Sequence, residues 1–248
     1  MEAAQQIRQA VQQVSLLRQA CEADAPLKAA VISVKQLQAR RFAGTYADLL
    51  QGGQYQAAAS FFLEELYSDK DYAERDAQFS RIAGAMQRLF PQQVVATAVA
   101  LARLHALTEE LDHAMGKAWL APGADDTMPA HVRYVQAWRT VGRRPEREQQ
   151  LSVVMGIGAE MVRLTRTPGL RLMLRMMRGP AAAADLSSLQ RFLETGFDTF
   201  GAMARRKNGA EAFLDTVQER EAALIAMLFD APAVACETQL RQTLGVAR

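Results

Sequence analysis

The side chains best suited to chemistry lie on one long helical segment, VVATAVALARLHALTEELDHAMGKAW. At about 100° per residue, His105, Thr108 and Asp112 fall within about 60° of one another on an otherwise apolar face. Burying such polar groups is costly unless each one finds a partner. Either they bond to a facing helix and fix its packing, or they line a polar cavity as ligand-binding or acid–base groups.

The same segment contains candidate metal ligands. His105, Glu109 and Asp112 share the stripe and could hold iron or manganese with acids from another helix. Glu110 and His113 have the E-x-x-H spacing of carboxylate di-iron bundles, which need such a pair on each of two helices. The sequence contains a single pair, and the helical period points Glu110 and His113 away from the apolar stripe. We therefore expect no cofactor, and a metal-dependent, di-iron-like helical-bundle enzyme is the alternative.

A second group of candidates combines aromatic and acidic residues. The segment SFFLEELY, which ends at Tyr67, is followed by several Asp and Glu residues. Phe62 and Tyr67 could shape a ligand pocket beside these acids. The alternative is that the aromatic residues are core, that Asp71 caps a helix, and that the other acids face water.

A third group is basic. Between Arg133 and Arg178 the sequence has ten Arg and three Glu, a local balance of +7, whereas the whole chain carries only +2. Arg171, Arg175 and Arg178 share one face of a Met-rich helix. This pattern suits an anionic ligand, an anionic membrane surface or a soft binding surface. Alternatively, the arginines meet Asp or Glu residues of neighbouring helices, and Arg175 is our candidate for ligand binding in this segment.

The elements that must position these residues are helices. The composition favours helix formers, and no segment combines strict alternation with a hairpin turn. Proline, glycine and capping residues predict an all-α, single-domain bundle of about nine helices over residues 1–248. The helix at 92–119 is the longest, the loop at 121–129 allows a division into two subdomains, and the Gly179–Pro180 pair ends the Met-rich helix.

Composition also narrows the class of protein. Half of the residues are apolar, so a core forms without disulfides or metals. The two cysteines lack C-x-x-C spacing, and neither a signal peptide nor a transmembrane segment is predicted, so we expect a cytoplasmic protein. No recognition helix for nucleic acid is evident. The amphipathic N-terminal helix could pair with its copy in a homodimer.

Several short segments resemble one family. They are FAGTYADLL from Phe42, FFLEELY from Phe61, RD at Arg75, LHAL at Leu104, MRGP from Met177, LQRFLETGF from Leu189 and RE at Arg220. Together they resemble a family of uncharacterised proteobacterial all-helical proteins of similar length, over about residues 35–229. The resemblance implies a bacterial, cytoplasmic domain and no particular chemistry.

These observations lead to two functional hypotheses. The first is a helical binding or interaction protein with an internal ligand cavity, whose partner is a small apolar or anionic ligand or another protein. It is favoured because no complete catalytic constellation is present in the sequence. The second is the metal-dependent enzyme described above.

Overall fold

The computed structural model describes residues 2–66, 70, 72–121 and 127–247, and every regular element within them is a helix. Thirteen helical segments lie within those residues, and one of them is a single turn. They are α1 (Ala3–Glu22), α2 (Ala25–Thr45), α3 (Ala47–Leu50), α4 (Gln56–Glu65), α5 (Ala73–Leu89), α6 (Gln92–Trp119), α7 (Ala130–Val141), α8 (Arg144–Thr165), α9 (Leu170–Met176), α10 (Arg178–Ala183), α11 (Ser187–Ala204), α12 (Gly209–Asp230) and α13 (Ala233–Val246). The all-α class is confirmed, and the expected number of nine helices is wrong.

The Met-rich segment is one reason for the higher number. We predicted a single helix that ends at the Gly179–Pro180 pair, but α9 ends at Met176 and Pro180 lies in the first turn of α10. A proline fits there because the first-turn N–H groups have no carbonyl partner within the helix. The pair therefore begins a helix where we expected one to end.

Local signals located other helix ends well. The Asp24 carboxylate accepts a hydrogen bond from the Leu27 backbone N–H at 3.0 Å, and Pro26 lies in the first turn of α2, as predicted. Helix α6 has the predicted bounds. The predicted cap at Asp71 and residues 122–126 of the predicted loop lie outside the described residues.

The chain divides into two compact units. Unit 1 comprises residues 1–15, 70–106 and 152–216, and unit 2 comprises residues 16–69, 107–151 and 217–248. The single-domain organisation stays a prediction. None of the described helices combines the length and the apolarity needed to cross a bilayer.

Two apolar clusters lie in the described part of unit 1. In the first, Ile7 and Val14 of α1 are buried with Met86 of α5 and Val99 of α6. The second contains Leu164, Leu170, Leu174 and Phe197, from α8, α9 and α11. Part of the apolar stripe of α1 that we considered for self-association thus packs within unit 1 in this chain, and the homodimer stays a prediction.

Unit 2 contains α2, α3, α4, α7 and α13, together with parts of α1, α6, α8 and α12. Helix α13 packs against α2 and α7. A Cβ atom built on Gly44 of α2 would lie 2.0 Å from the Thr243 carbonyl oxygen of α13. Glycine therefore allows the two helix backbones to approach closely at this point.

Candidate functional site

The residues predicted to form a central site lie partly in unit 2, on the second half of α6. Leu111, Asp112 and His113 are consecutive and all buried. The predicted inward orientation of Asp112 is confirmed. His113, which the helical period points away from the apolar stripe, is buried as well, because this part of α6 is enclosed on more sides than one apolar stripe requires.

Asp112 is the most deeply buried carboxyl of the predicted site, with 3% of its surface exposed. Its Oδ1 accepts a hydrogen bond from Gln38 Nε2 at 3.0 Å, and the Gln38 side chain also hydrogen-bonds with buried Tyr134. Burial raises the pKa of Asp112, and the charges of Lys35 and Arg147 and the Gln38 hydrogen bond oppose this shift. Burial also raises the pKa of the Tyr134 hydroxyl.

An ion pair lies on the same side of α6. The Lys35 Nζ atom is 2.6 Å from Glu109 Oε1, and both side chains are largely shielded from solvent. Burial alone would lower the pKa of Lys35, but Asp112 and Glu109 together outweigh burial and raise it. Lys35 therefore stays charged and offsets part of the cost of placing two carboxyl groups here.

Helix α8 completes the arrangement. Gln150 Nε2 donates a hydrogen bond to Thr108 Oγ1 at 2.7 Å, and Arg147 Nη1 lies 3.5 Å from Gln150 Oε1. The buried Arg147 guanidinium is 4.2 Å from the ring centroid of Trp138. These contacts connect residues of α6, α7 and α8 within unit 2.

We call this group the polar cluster. Its members are Lys35, Gln38, Thr108, Glu109, Asp112, Tyr134, Arg147 and Gln150. It contains two cationic and two carboxyl side chains. Gln38 joins Asp112 to Tyr134, and Gln150 joins Arg147 to Thr108. Such a network fixes the register of the packed helices, because displacing one member would strand a buried charge or donor.

His105 belongs to unit 1, where its Nε2 atom lies 3.1 Å from Asp76 Oδ2. Asp76 is buried at the start of α5, and the His105 side chain is partly exposed. The helical period correctly predicted that His105 needs a polar partner. It did not identify the acid on α5 as that partner.

The other predicted ligand-binding residues have different surroundings. Phe62 is buried in unit 2 and packs edge-to-face against Phe61, with ring centroids 6.4 Å apart. Arg175 is exposed in unit 1, and its side chain makes no hydrogen bond or ion pair with any residue that the structure describes. Tyr67 lies outside the described residues. The ligand-binding roles of these residues stay predictions.

The candidate metal ligands form separate contacts. Within residues 2–66, 70, 72–121 and 127–247, no three His, Cys, Asp or Glu side chains are arranged to hold a metal ion. The E-x-x-H pair also has separate partners, since Glu110 Oε1 lies 2.6 Å from Arg143 Nη1 and His113 contacts Cys21. Iron or manganese binding stays a prediction.

The arginines of the Met-rich segment divide into two kinds. Arg171 and Arg178 pair with Glu194 of α11, which confirms that these two meet a neighbouring acid. The Arg178 hydrogen bonds lower the pKa of Glu194 to about 2. Arg175 instead lies in solvent with Leu172 and Met176, at helical positions i+3 and i+4 from Leu172. We call Leu172, Arg175 and Met176 the α9 face.

The segments that resemble the family contact one another within each unit. Their pairs are Tyr46–Glu221, Asp48–Arg220, Asp76–His105, Arg75–Phe192 and Arg178–Glu194. Each pair joins one quoted segment to another that is distant in sequence. The resemblance therefore includes residues that hold helices together, which is a structural reason for their types.

Sequence reasoning missed most partners of the predicted residues. Lys35 and Gln38 lie three residues apart on α2, a spacing that places them on one helix face. That spacing alone could not separate them from an ordinary solvated face. Arg147 and Gln150 have the same spacing on α8, and only the fold brings the two pairs to α6.

Comparison with known proteins identifies the family of the chain. No curated protein and no solved structure matches the chain. Residues 17–234 match a family described as "Domain of unknown function (DUF8198)", and this range contains the whole region of the expected resemblance. The expectation of an uncharacterised family is confirmed. The match covers most of the sequence, so the chain belongs to the DUF8198 family.

Proposed function

We propose that this chain is a helical interaction protein that binds an acidic, amphipathic segment of a protein partner through the α9 face. The observation that carries the proposal is the exposure of two large apolar side chains beside an arginine. Leu172 is 60% exposed and Met176 is 69% exposed, and Arg175 lies beside them on the same side of the helix.

The opposite side of α9 explains why these side chains are not needed for folding. Leu170 and Leu174 already fill the apolar cluster of unit 1. Leu172 and Met176 face away from that cluster, and burying each against a partner would contribute about 1.5–3 kcal/mol. A lone exposed leucine is common, but an adjacent pair with a soft methionine suits an adaptable binding surface.

The positive charge around the α9 face favours a negatively charged partner. Five arginines and no acidic residue occur in residues 161–184. Arg171 and Arg178 are partly neutralised by Glu194, whereas Arg175 keeps its charge in solvent. A partner with carboxylates next to its apolar side chains would satisfy both features of the α9 face.

The polar cluster supports a binding role less directly. Thr108 and Asp112 already have hydrogen-bond partners within unit 2, so an internal ligand would have to replace those contacts. The internal cavity and the metal-dependent reaction therefore remain hypotheses from the sequence, and the surface interaction is the function that we propose.

Selection from a random peptide library tests the proposal. The full chain is the target, and the variant with Leu172→Ser and Met176→Ser is used to remove peptides that bind elsewhere. We expect the selected peptides to combine acidic and apolar residues. Arg175→Glu should weaken their binding by about tenfold, measured by fluorescence anisotropy.

Leu89→Ser is the matched control, because Leu89 is 68% exposed in the same unit but lies on α5. It should leave peptide binding unchanged. Loss of all enriched peptides at the removal step, because they bind the Leu172→Ser, Met176→Ser variant as tightly as the native chain, would overturn the proposal. A second result would also overturn it: the chain selects no peptide but binds vesicles that contain phosphatidylserine. The α9 face would then recognise lipid.

A further inference from the structure

A cysteine and a histidine lie side by side in unit 2. The Sγ atom of Cys21, in the last turn of α1, is 3.4 Å from Nδ1 of His113 on α6. Cys21 is partly exposed, whereas His113 is only 8% exposed. A reagent in solvent can therefore reach the sulfur, and the imidazole behind it is shielded.

Charged groups around the sulfur favour the neutral thiol. Burial raises the pKa of Cys21; the charge of Lys35 opposes this shift, and Glu109, Glu22 and Asp24 add to it. The Cys21 side chain is therefore a protonated thiol at neutral pH, and it must lose this proton during any reaction of the sulfur.

The histidine is in the form that can take this proton. Burial lowers the pKa of His113, and the nearby Lys117 lowers it further. A neutral imidazole has one unprotonated ring nitrogen, and a protonated thiol can donate its hydrogen to that atom. The 3.4 Å contact fits a hydrogen bond from Cys21 to Nδ1 of His113.

We propose that Cys21 and His113 form a covalent capture site for uncharged α,β-unsaturated carbonyl compounds, with Cys21 as the nucleophile and His113 as the base. The pair has the nucleophile–base contact that activated cysteines require. No other described cysteine has this arrangement, since Cys236 is buried and its thiol donates to the Met227 carbonyl at 3.1 Å.

The reaction is a net addition of S–H across a carbon–carbon double bond. Sγ forms a bond to the β-carbon while the S–H proton moves to Nδ1 of His113. The π electrons shift toward the carbonyl oxygen and give an enolate. The enolate then takes a proton back at the α-carbon, so no oxidant and no leaving group are involved.

The surroundings also bear on the charge of the compound. Glu109 is paired with Lys35, Glu22 is paired with Lys28, and the positive charge of Lys117 acts on His113, so the charges near the sulfur largely offset one another. The site therefore has no strong charge of one sign to attract an ionic reagent, and we expect it to take uncharged compounds.

N-ethylmaleimide, an uncharged reagent of this class, provides the test. Mass spectrometry of the folded full chain should locate the first addition at Cys21, with Cys236 as the internal control that stays unmodified. The Cys21→Ser variant should take up no reagent under the same conditions. Addition at Cys236 at the same rate as at Cys21 would overturn the proposal.

The role of His113 requires a separate measurement. His113→Asn keeps an acceptor near the position of Nδ1 but removes the base, so the second-order rate of addition at neutral pH should fall by about tenfold or more. An unchanged or faster rate would contradict the proposal. The native chain gives an independent test: with His113 as base, its rate should be nearly constant from about pH 7 to about pH 8. A rate that rises tenfold per pH unit over this range would show reaction through a free thiolate and would also overturn it.

Discussion

Arg41 and Glu221 form an ion pair inside unit 2, with Nη1 of the arginine 2.5 Å from Oε1 of the glutamate. More than nine-tenths of each side chain is shielded from solvent. The Tyr46 hydroxyl donates a second hydrogen bond to the same oxygen at 3.0 Å. The three residues join α2, the turn after it and α12.

We expect Glu221→Gln to destabilise the chain by about 3 kcal/mol, because the Arg41 charge would remain buried without its carboxylate. Urea unfolding followed by circular dichroism measures this change. The control is Asp48→Asn, which removes the partner of Arg220 in a solvent-exposed pair and should cost about 1 kcal/mol or less. Equal losses in the two variants would contradict the buried role of Arg41 and Glu221.

Glu194 should make unit 1 sensitive to acid. Its pKa is lowered to about 2 by the Arg178 hydrogen bonds, from an ordinary value of 4.5. A lowered pKa stabilises the fold at a pH above the ordinary value, and this stabilisation is lost as the pH falls toward about 2. The difference in urea midpoint between the native chain and Glu194→Gln should therefore shrink between about pH 6 and about pH 3. A constant difference would show that the ion pairs do not contribute.

Asp112 should have the opposite pH dependence. Burial raises its pKa, so ionisation costs free energy in the folded state, and its contribution to stability falls as the pH rises above 3.8. An asparagine side chain at this position would still accept the Gln38 hydrogen bond without burying a charge. We therefore expect Asp112→Asn to leave the urea midpoint at pH 7 unchanged or raised.

Leu111→Ala serves as the comparison for Asp112→Asn, because Leu111 is the fully buried neighbour of Asp112. We expect Leu111→Ala to lower the free energy of unfolding by about 2–5 kcal/mol. Loss of stability in Asp112→Asn as large as that in Leu111→Ala would contradict our interpretation. It would show that the Asp112 charge, through Lys35, stabilises unit 2.

The ends of a helix could be predicted from the sequence where nearby residues specify them. Asp24 and Pro26 specify the start of α2 within four residues of sequence, and periodicity alone gives the inward orientation of Asp112. The partners could not be predicted in this way. Gln38 lies 74 positions from Asp112 and Cys21 lies 92 positions from His113, so their pairing depends on the packing of whole helices.

Two glycines in helices should respond oppositely to the same substitution. Gly44→Ala would place a methyl group 2.0 Å from the Thr243 carbonyl oxygen, and a backbone atom cannot move aside without separating α2 from α13. Gly156, on an exposed part of α8, has no atom within 4 Å of the new methyl group. Gly156→Ala should therefore stabilise its helix by about 0.5–1 kcal/mol, because alanine loses less backbone entropy than glycine.

For Gly44→Ala, next to the last residue of α2, we expect the backbone clash to exceed any gain in helix propensity, giving a net loss of at least about 1 kcal/mol. Urea midpoints of both variants, measured side by side, separate propensity from packing. A Gly44→Ala chain as stable as Gly156→Ala would mean that α13 does not pack this closely on α2 in solution. Because the gain in helix propensity is favourable or small at both sites, a loss of stability at Gly44 with a gain at Gly156 would establish the close approach of α2 and α13.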